Sequence, residues 1–485
     1  DEAVILLDRA SATGAAGEDG ALSELAGFIV SLRGGIALGR DLPAVAPELL
    51  GAEEPRTYLV LGQTSDELRA TGGFVSSVWE MTFFKGALVE TVYRDVVDVD
   101  DLDNLALYPE PPDVLSQHMN ASVWVMRDVT WKPDFPVTAR LAQELYRLGQ
   151  EREVDGVVAI TPWAFTKLID VLGPVRVDGR EVSPGELMAV VEEGTDREGR
   201  GYLQKVFDGL LQALDNPAAR SGALRIAGAL HESLEEKQAL IYVDDPTTQR
   251  IISAKGWAGE VPVPEHDRLY VVDSNVGWSK VDRNIERGVD YSVRLRRDGP
   301  SLAHLTLTYH NRSEPGDDCE QQFKDRGSAY DVLKNACYWN FLRAYVADGS
   351  ELVSADEMPL PRGSIYVQAG RGGAGQDSFS ARRDSNGTNW RGLTQVAPDA
   401  TRSLSFVYDL PQSVVNWDDE PEYTLELLRQ PGTLGRRVSV EIAFPEGYEF
   451  AGASVPPSQV SAGSAAFDLR LREDTTLNVR LRRAG

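Results

Sequence analysis

The sequence predicts an α/β layer preceded by a helical segment and followed by an antiparallel β-sandwich. Between Tyr58 and Val243, short apolar strands alternate with amphipathic helices, the order that an α/β layer requires. From Val289 onward the pattern changes to period two with turns about every ten residues, as antiparallel sheets with one polar face require. Ahead of both, Leu22, Leu25, Ala26, Ile29 and Leu32 recur at helical spacing. The chain is therefore divided into a helical segment over residues 1–55, an α/β domain over 56–288 and a sandwich region over 289–485 with a glycine-rich insertion near 370–390.

In chain order, Gly34-Gly35 is expected to stop the first helical run. Tyr58 to Gly62 reads as a buried strand. A second strand from Val75 turns at Lys85-Gly86 into a third that ends in Arg94-Asp95. Val137, Leu141, Leu145 and Leu148 mark one face of a helix. Val154 to Ile160 is a buried strand, after which Thr161-Pro162 supplies an N-cap with a first-turn proline and Gly173 ends the helix. Gly194 to Gly201 reads as a loop before a strongly amphipathic helix carrying Leu203, Val206, Phe207, Leu210, Leu211 and Leu214.

The 485 residues, 42% hydrophobic and 26% charged, are sufficient for two to four packed domains. A net charge of −26 excludes general nucleic-acid binding, so anionic partners must meet clustered arginines or a bridging cation. Cys319 and Cys337 are either two buried thiols or one disulfide closing a loop, and the second reading suits an exported chain. No apolar run is long enough to cross a bilayer. A chain that starts at Asp1 leaves room for an amino-terminal anchor removed from it.

Polar signatures follow several of these strands. Gln63-Thr64-Ser65-Asp66-Glu67-Leu68-Arg69-Ala70-Thr71-Gly72-Gly73 comes directly after the first strand, at the end where open α/β sheets place their sites. The paired glycines admit backbone angles closed to other residues and let a ligand approach the main chain. Arg94-Asp95 closes the third strand, Arg127-Asp128 stands ahead of Trp131, and Asp273, Asn275 and Lys280 form a later group.

These signatures, with Val154-Asp155-Gly156-Val157-Val158-Ala159-Ile160, Leu172-Gly173-Pro174-Val175 and Gln430-Pro431-Gly432, resemble the bacterial envelope proteins grouped as uncharacterised domain family 4012. Val154 to Val177 is also similar to a core segment of the LytR-CpsA-Psr proteins. That likeness implies an α/β core, a polyprenyl-pyrophosphate carrier whose glycopolymer moves to a cell-wall acceptor, a divalent cation such as Mg²⁺, and arginines around the pyrophosphate. Arg94-Asp95 falls on that family's Arg-Asp pair, and Arg200 falls near its further arginines, with Lys205 close by. The chain departs from the pattern at Gly72-Gly73, where those enzymes carry an acidic residue, and at Tyr93, where they carry a proline.

Phosphoryl transfer would draw on Arg69, Arg94, Arg127 and Arg200 for charge neutralisation, on Asp95 or Asp128 for magnesium and on Asp66 or Glu67 as the base. Gln63, Thr71, Trp131, Lys205, Asp273, Asn275 and Lys280 would line the pocket. The structural reading of the same residues is a buried ion pair that fixes a turn, with Trp131 as a core aromatic. Two functions follow: an extracytoplasmic glycopolymer transferase, or a non-catalytic envelope scaffold that binds a glycan or lipid carrier.

Overall fold

A computed structural model describes residues 34–40, 43–199, 201–216, 222–322, 329–418 and 420–484. The apolar stripe from Leu22 to Leu32 and the arginine at position 200 lie outside them. By internal contacts the chain forms two compact units interleaved in sequence. The first holds residues up to Gly62, Ser76–Asp98 and Glu153–Ala258. The second holds Gln63–Val75, Val99–Arg152 and Gly259–Gly485. A single cut at residue 288 therefore does not describe the division. The polar stretch after the first strand, the Arg127 segment and the Asp273 segment all belong with the carboxyl-terminal sheets.

The first unit is built on a five-stranded sheet in the order Ala87–Asp95, Phe74–Phe84, Arg56–Thr64, Gly156–Ile160 and Ala239–Val243. Tyr58–Gly62 pairs in parallel with Gly156–Ile160, as the strand-helix-strand pattern predicts. Ala239–Val243 runs antiparallel to that second strand, so the sheet is mixed. Lys85 and Gly86 both take positive φ and close a two-residue hairpin. Helices Pro162–Leu172, Leu187–Glu198, Tyr202–Asp215 and Ala223–Glu235 contribute to one apolar cluster that includes Ile169, Val190, Tyr202, Val206, Leu210 and Ala229.

One glycine position corrects the sequence reading and another explains a packing contact. Gly34 and Gly35 lie in the helical stretch 34–40, while the run from Leu22 to Leu32 that they are expected to stop lies outside the described residues. A Cβ on Gly35 would sit 2.1 Å from the carbonyl oxygen of Leu224, so glycine here lets two helical backbones touch. Gly194, expected in a loop, is inside helix Leu187–Glu198, and a Cβ there would lie 2.1 Å from the ring of Tyr202. The missing side chain is the seat of an aromatic ring.

In the second unit one sheet runs Glu351–Ala355, Thr401–Leu410, Ser301–Asn311, Ile285–Arg294, Arg436–Ala443, Ser464–Leu471 and Gln459–Val460. The other runs Ser380–Asp384, Gly387–Val396, Tyr338–Tyr345, Asp267–Val272, Glu422–Leu428, Thr475–Arg483 and Tyr448–Ala453, with Val415–Asn416 paired beside Glu422–Leu428. Alternate residues of both sheets enter one core that includes Val271, Tyr291, Leu305, Leu342, Phe406, Leu425, Val440 and Phe467. The insertion near 370–390 follows the short helix Ile365–Gln368 and holds strand Ser380–Asp384, which pairs with Gly387–Val396. Helix Phe135–Gln150 is capped by Asp134, whose carboxylate accepts from Val137 N. Cys319 and Cys337 form a disulfide with Cα atoms 5.3 Å apart.

Candidate functional site

Three of the polar signatures, those of Gln63 to Gly73, Arg127-Asp128 and Asp273 to Lys280, converge in the second unit. Ser65–Gly73 follows the end of strand Arg56–Thr64, and Gly72 and Gly73 take φ of +130° and +152°. The backbone that approaches them is the chain's own: a Cβ on Gly432 would sit 2.1 Å from the carbonyl oxygen of Gly72. Gln430, in the same turn, donates from its amide to the carbonyls of Arg69 (3.0 Å) and Asp273 (2.7 Å). Its Oε1 accepts from Asp273 N (2.9 Å). One side chain thus fastens two signatures that are about two hundred residues apart in sequence.

Arg69 is the centre of this knot and has no exposed surface. Its guanidinium donates to Glu67 (3.1 Å), to Asp128 (3.4 Å), to the Leu68 carbonyl (3.3 Å) and to the Asn275 carbonyl. Lys280 Nζ stands 3.3 Å from the other oxygen of Glu67 and 5.4 Å over the ring of Phe74. Asp66 accepts from the Tyr330 hydroxyl, with Arg283 3.9 Å away. Arg127 Nε lies 3.4 Å from Asp128 and is otherwise half-exposed. Trp131 is buried, with the Arg343 guanidinium 4.9 Å over its ring, an arrangement of a core aromatic.

Asn275 and Asp273 extend the network. The Asn275 amide donates to Asp282 (2.8 Å), and Asp282 accepts from Leu68 N (3.1 Å). Asp273, fully buried, accepts from Tyr309 (2.7 Å) and Asn340 (2.8 Å) and faces Arg287 (3.1 Å) and Arg436 (2.6 Å). Burial works to raise its pKa, but the two guanidiniums and two hydrogen bonds outweigh that, so its carboxyl lies below the usual range. For Asp282 burial wins over Arg287, and its carboxyl is raised.

Several buried polar atoms in this stretch have no hydrogen-bond partner among the described residues: both amide atoms of Gln63, the hydroxyls of Ser65 and Thr71, and Nε of Arg69. Buried polar atoms of this kind are ordinarily satisfied by water or by a ligand.

The remaining candidates lie in the first unit. Arg94 and Asp95 end strand Ala87–Asp95, both half-buried, and Asp95 accepts from Val97 N (3.1 Å). Lys205 is on the exposed face of helix Tyr202–Asp215, paired with Glu198 (2.7 Å) and Asp178 (3.2 Å). Arg197 joins the same two carboxylates, so this cluster is a surface ion-pair network.

Magnesium fits Asp128 poorly, because guanidiniums face both of its oxygens. Among the described residues no group of three or more His, Cys, Asp or Glu gathers as a metal site. Sequence reasoning did not single out Asp282, Arg287, Tyr309, Tyr330, Asn340, Gln430 or Arg436 as site residues. Two of them carried a signal: Asp282, at the end of the polar run that holds Asp273, Asn275 and Lys280, and Gln430, in a turn that is part of the family likeness.

Residues 53–195 match the family DUF4012, described as a protein of unknown function. The chain carries a DUF4012 domain. The DUF4012 span takes in Gln63 to Gly73, Arg94-Asp95 and Arg127 to Trp131, and stops short of Asp273, Asn275 and Gln430. No curated protein matches the chain. Among solved structures it is similar to the transcriptional regulator yvhJ of Bacillus subtilis at 12% identity and a TM-score of 0.24, over 41% of this chain and 76% of that one. It is similar to B. subtilis TagV at 11% identity and a TM-score of 0.27, over 42% and 80%. Listeria innocua Lin1025 gives 12% and 0.25, over 44% and 85%. Scores this low establish no common fold.

Proposed function

We propose that this chain is an extracytoplasmic cell-envelope scaffold that binds a polyprenyl-linked glycan or cell-wall polymer without transferring it. On this reading a separate membrane anchor holds the chain near the bilayer, and the two large sheets act as a β-sandwich. The observation that carries the proposal is the occupation of the carboxylates. Asp66 is engaged by Tyr330 and Arg283, Glu67 by Arg69 and Lys280, and Asp128 by Arg69 and Arg127. A general base needs an oxygen open to the proton it takes, and in Glu67 and Asp128 a cation faces each oxygen. The likeness of Val154 to Val177 to the LytR-CpsA-Psr core supports the envelope and carrier part of the reading, and the buried unpartnered atoms of Gln63 to Thr71 support a polar ligand or ordered water there.

The transferase reading retains one observation in its favour, the half-buried Arg94-Asp95 pair at a strand end. Incubation with a polyprenyl-pyrophosphate-linked glycan, with and without Mg²⁺, separates the two. The scaffold reading expects binding that weakens in Arg94→Ala and no release of the lipid phosphate. Magnesium-dependent release that is lost in Glu67→Gln would overturn it.

A further inference from the structure

The outer face of the seven-stranded sheet carries a row of side chains that the network above does not use. In register, Ser403 stands opposite Thr308, Thr308 opposite Gly288, Gly288 opposite Arg437, and Arg437 opposite Arg470. Their neighbours along the strands, Leu404, Leu307, Val289, Val438 and Leu471, are buried, so the row points outward by the two-residue period. Arg437, Arg470 and Ser403 are exposed and Thr308 half-exposed.

Two features of this row are unusual. Like charges directly across an antiparallel pair have Cβ atoms about 5 Å apart and destabilise the sheet. Yet no carboxylate among the described residues pairs with Arg437 or Arg470. Asp290 and Asp468 stand one row away, both opposite Ser439. In a chain of net charge −26, two adjacent guanidiniums left without a counter-charge are conspicuous. The middle of the row is also open: a Cβ built on Gly288 would meet only the Cβ of Thr308, at 3.8 Å. Thr308 and Ser403 hydroxyls, 3.1 Å apart, line the far end. Five strands at about 4.8 Å spacing make the row about 19 Å long.

We propose that this row is a binding surface for a phosphodiester-bearing glycan, with Arg437 and Arg470 bracketing a phosphate and the Thr308–Ser403 hydroxyls meeting sugar or polyol hydroxyls across the gap at Gly288. Paired planar guanidiniums suit a tetrahedral anion with several acceptor oxygens. The net charge of −26 works against a polyanion on the surface at large, so a patch of adjacent arginines stands out as a place for one. The surface belongs to the second unit alone and does not depend on whether a lipid carrier binds near Arg94.

The test is titration of the intact chain with a glycerol-phosphate oligomer, beside dextran, polygalacturonate and a DNA duplex of equal phosphate number. The phosphate oligomer is expected to bind, more weakly as salt rises, and the Arg437→Gln/Arg470→Gln variant to bind at least about tenfold less tightly with a melting midpoint at or above that of wild type. Arg482→Gln, which removes an exposed arginine paired with Glu449, is expected to leave binding unchanged. Equal loss in Arg482→Gln, equal or tighter binding of polygalacturonate or DNA, or no binding of the oligomer would each overturn the proposal. Because Arg94→Ala leaves this row intact, failure here is distinguishable from failure of the carrier reading.

Discussion

Replacing Arg69 by Met separates a structural arginine from a ligand-binding one. Met occupies similar length but removes a guanidinium with no exposed surface, leaving Glu67 and Asp128, both buried, without that partner. It also strips the donors from the Asn275 and Leu68 carbonyls. Breaking a buried pair by removing one member costs about 3–5 kcal/mol, because the remaining charge keeps its desolvation penalty. Lys280 and Arg127 soften this for the two carboxylates, which places the loss near about 3 kcal/mol. The second unit has roughly 290 residues, so a loss of that size lowers its calorimetric midpoint by about 5 °C. The triple variant Arg69→Met/Glu67→Gln/Asp128→Asn removes the stranded charges and is expected to regain about half of the loss. An Arg69→Met protein that melts like wild type but no longer binds the lipid-linked glycan would refute the structural assignment.

Asp267 is a fully buried carboxylate that accepts from the Tyr291 (2.7 Å) and Tyr423 (2.5 Å) hydroxyls and pairs with no cation among the described residues. Burial pushes its carboxyl up to about 6, against those two hydrogen bonds. A raised folded pKa means the folded state holds the proton more tightly, so this contribution is complete below about pH 4 and is lost as pH rises through 6. The stability of wild type relative to Asp267→Asn is expected to fall by up to about 3 kcal/mol between pH 4 and 7; urea titrations giving a pH-independent difference would contradict this. Cys319→Ser/Cys337→Ser opens a disulfide spanning 18 positions and is expected to cost about 3 kcal/mol, read as a urea midpoint for the second unit below that of the oxidised wild type. Gly194→Ala drives a methyl into the Tyr202 ring and is expected to destabilise the first unit by about 1–3 kcal/mol, whereas the same change at exposed Gly201, where φ is −55° and a Cβ meets nothing within 4 Å, loses far less; equal losses would show that ring contact is unimportant.

Much of this architecture was legible in the order of residues, because it depends on short-range periodicity. Hairpin Lys85-Gly86, helix Pro162–Leu172 with its Gly173 end, the amphipathic helix at Tyr202–Asp215 and the strands after Val289 each state their form within a dozen residues. The central strand Tyr338–Tyr345 was not legible: all eight of its residues are buried, so it shows no polar face and no alternation. Asp267–Val272 is buried throughout for the same reason, and its parallel pairing with Glu422–Leu428 unites segments some 150 residues apart.

The candidate site divides along the same line. Sequence alone determined which residue types were concentrated after the strands, the excess of acidic over basic charge, and the family likeness. Tertiary structure alone decided what those charges face. Arg69 meets Asp128 and Asn275 rather than an incoming phosphate, Gly72 meets Gly432, and Arg437 meets Arg470, since each pairing depends on backbone register between distant segments. A carboxylate reads identically in a sequence whether a guanidinium or a substrate stands before it; burial and partner geometry, which decide its energy, exist only once the chain has folded.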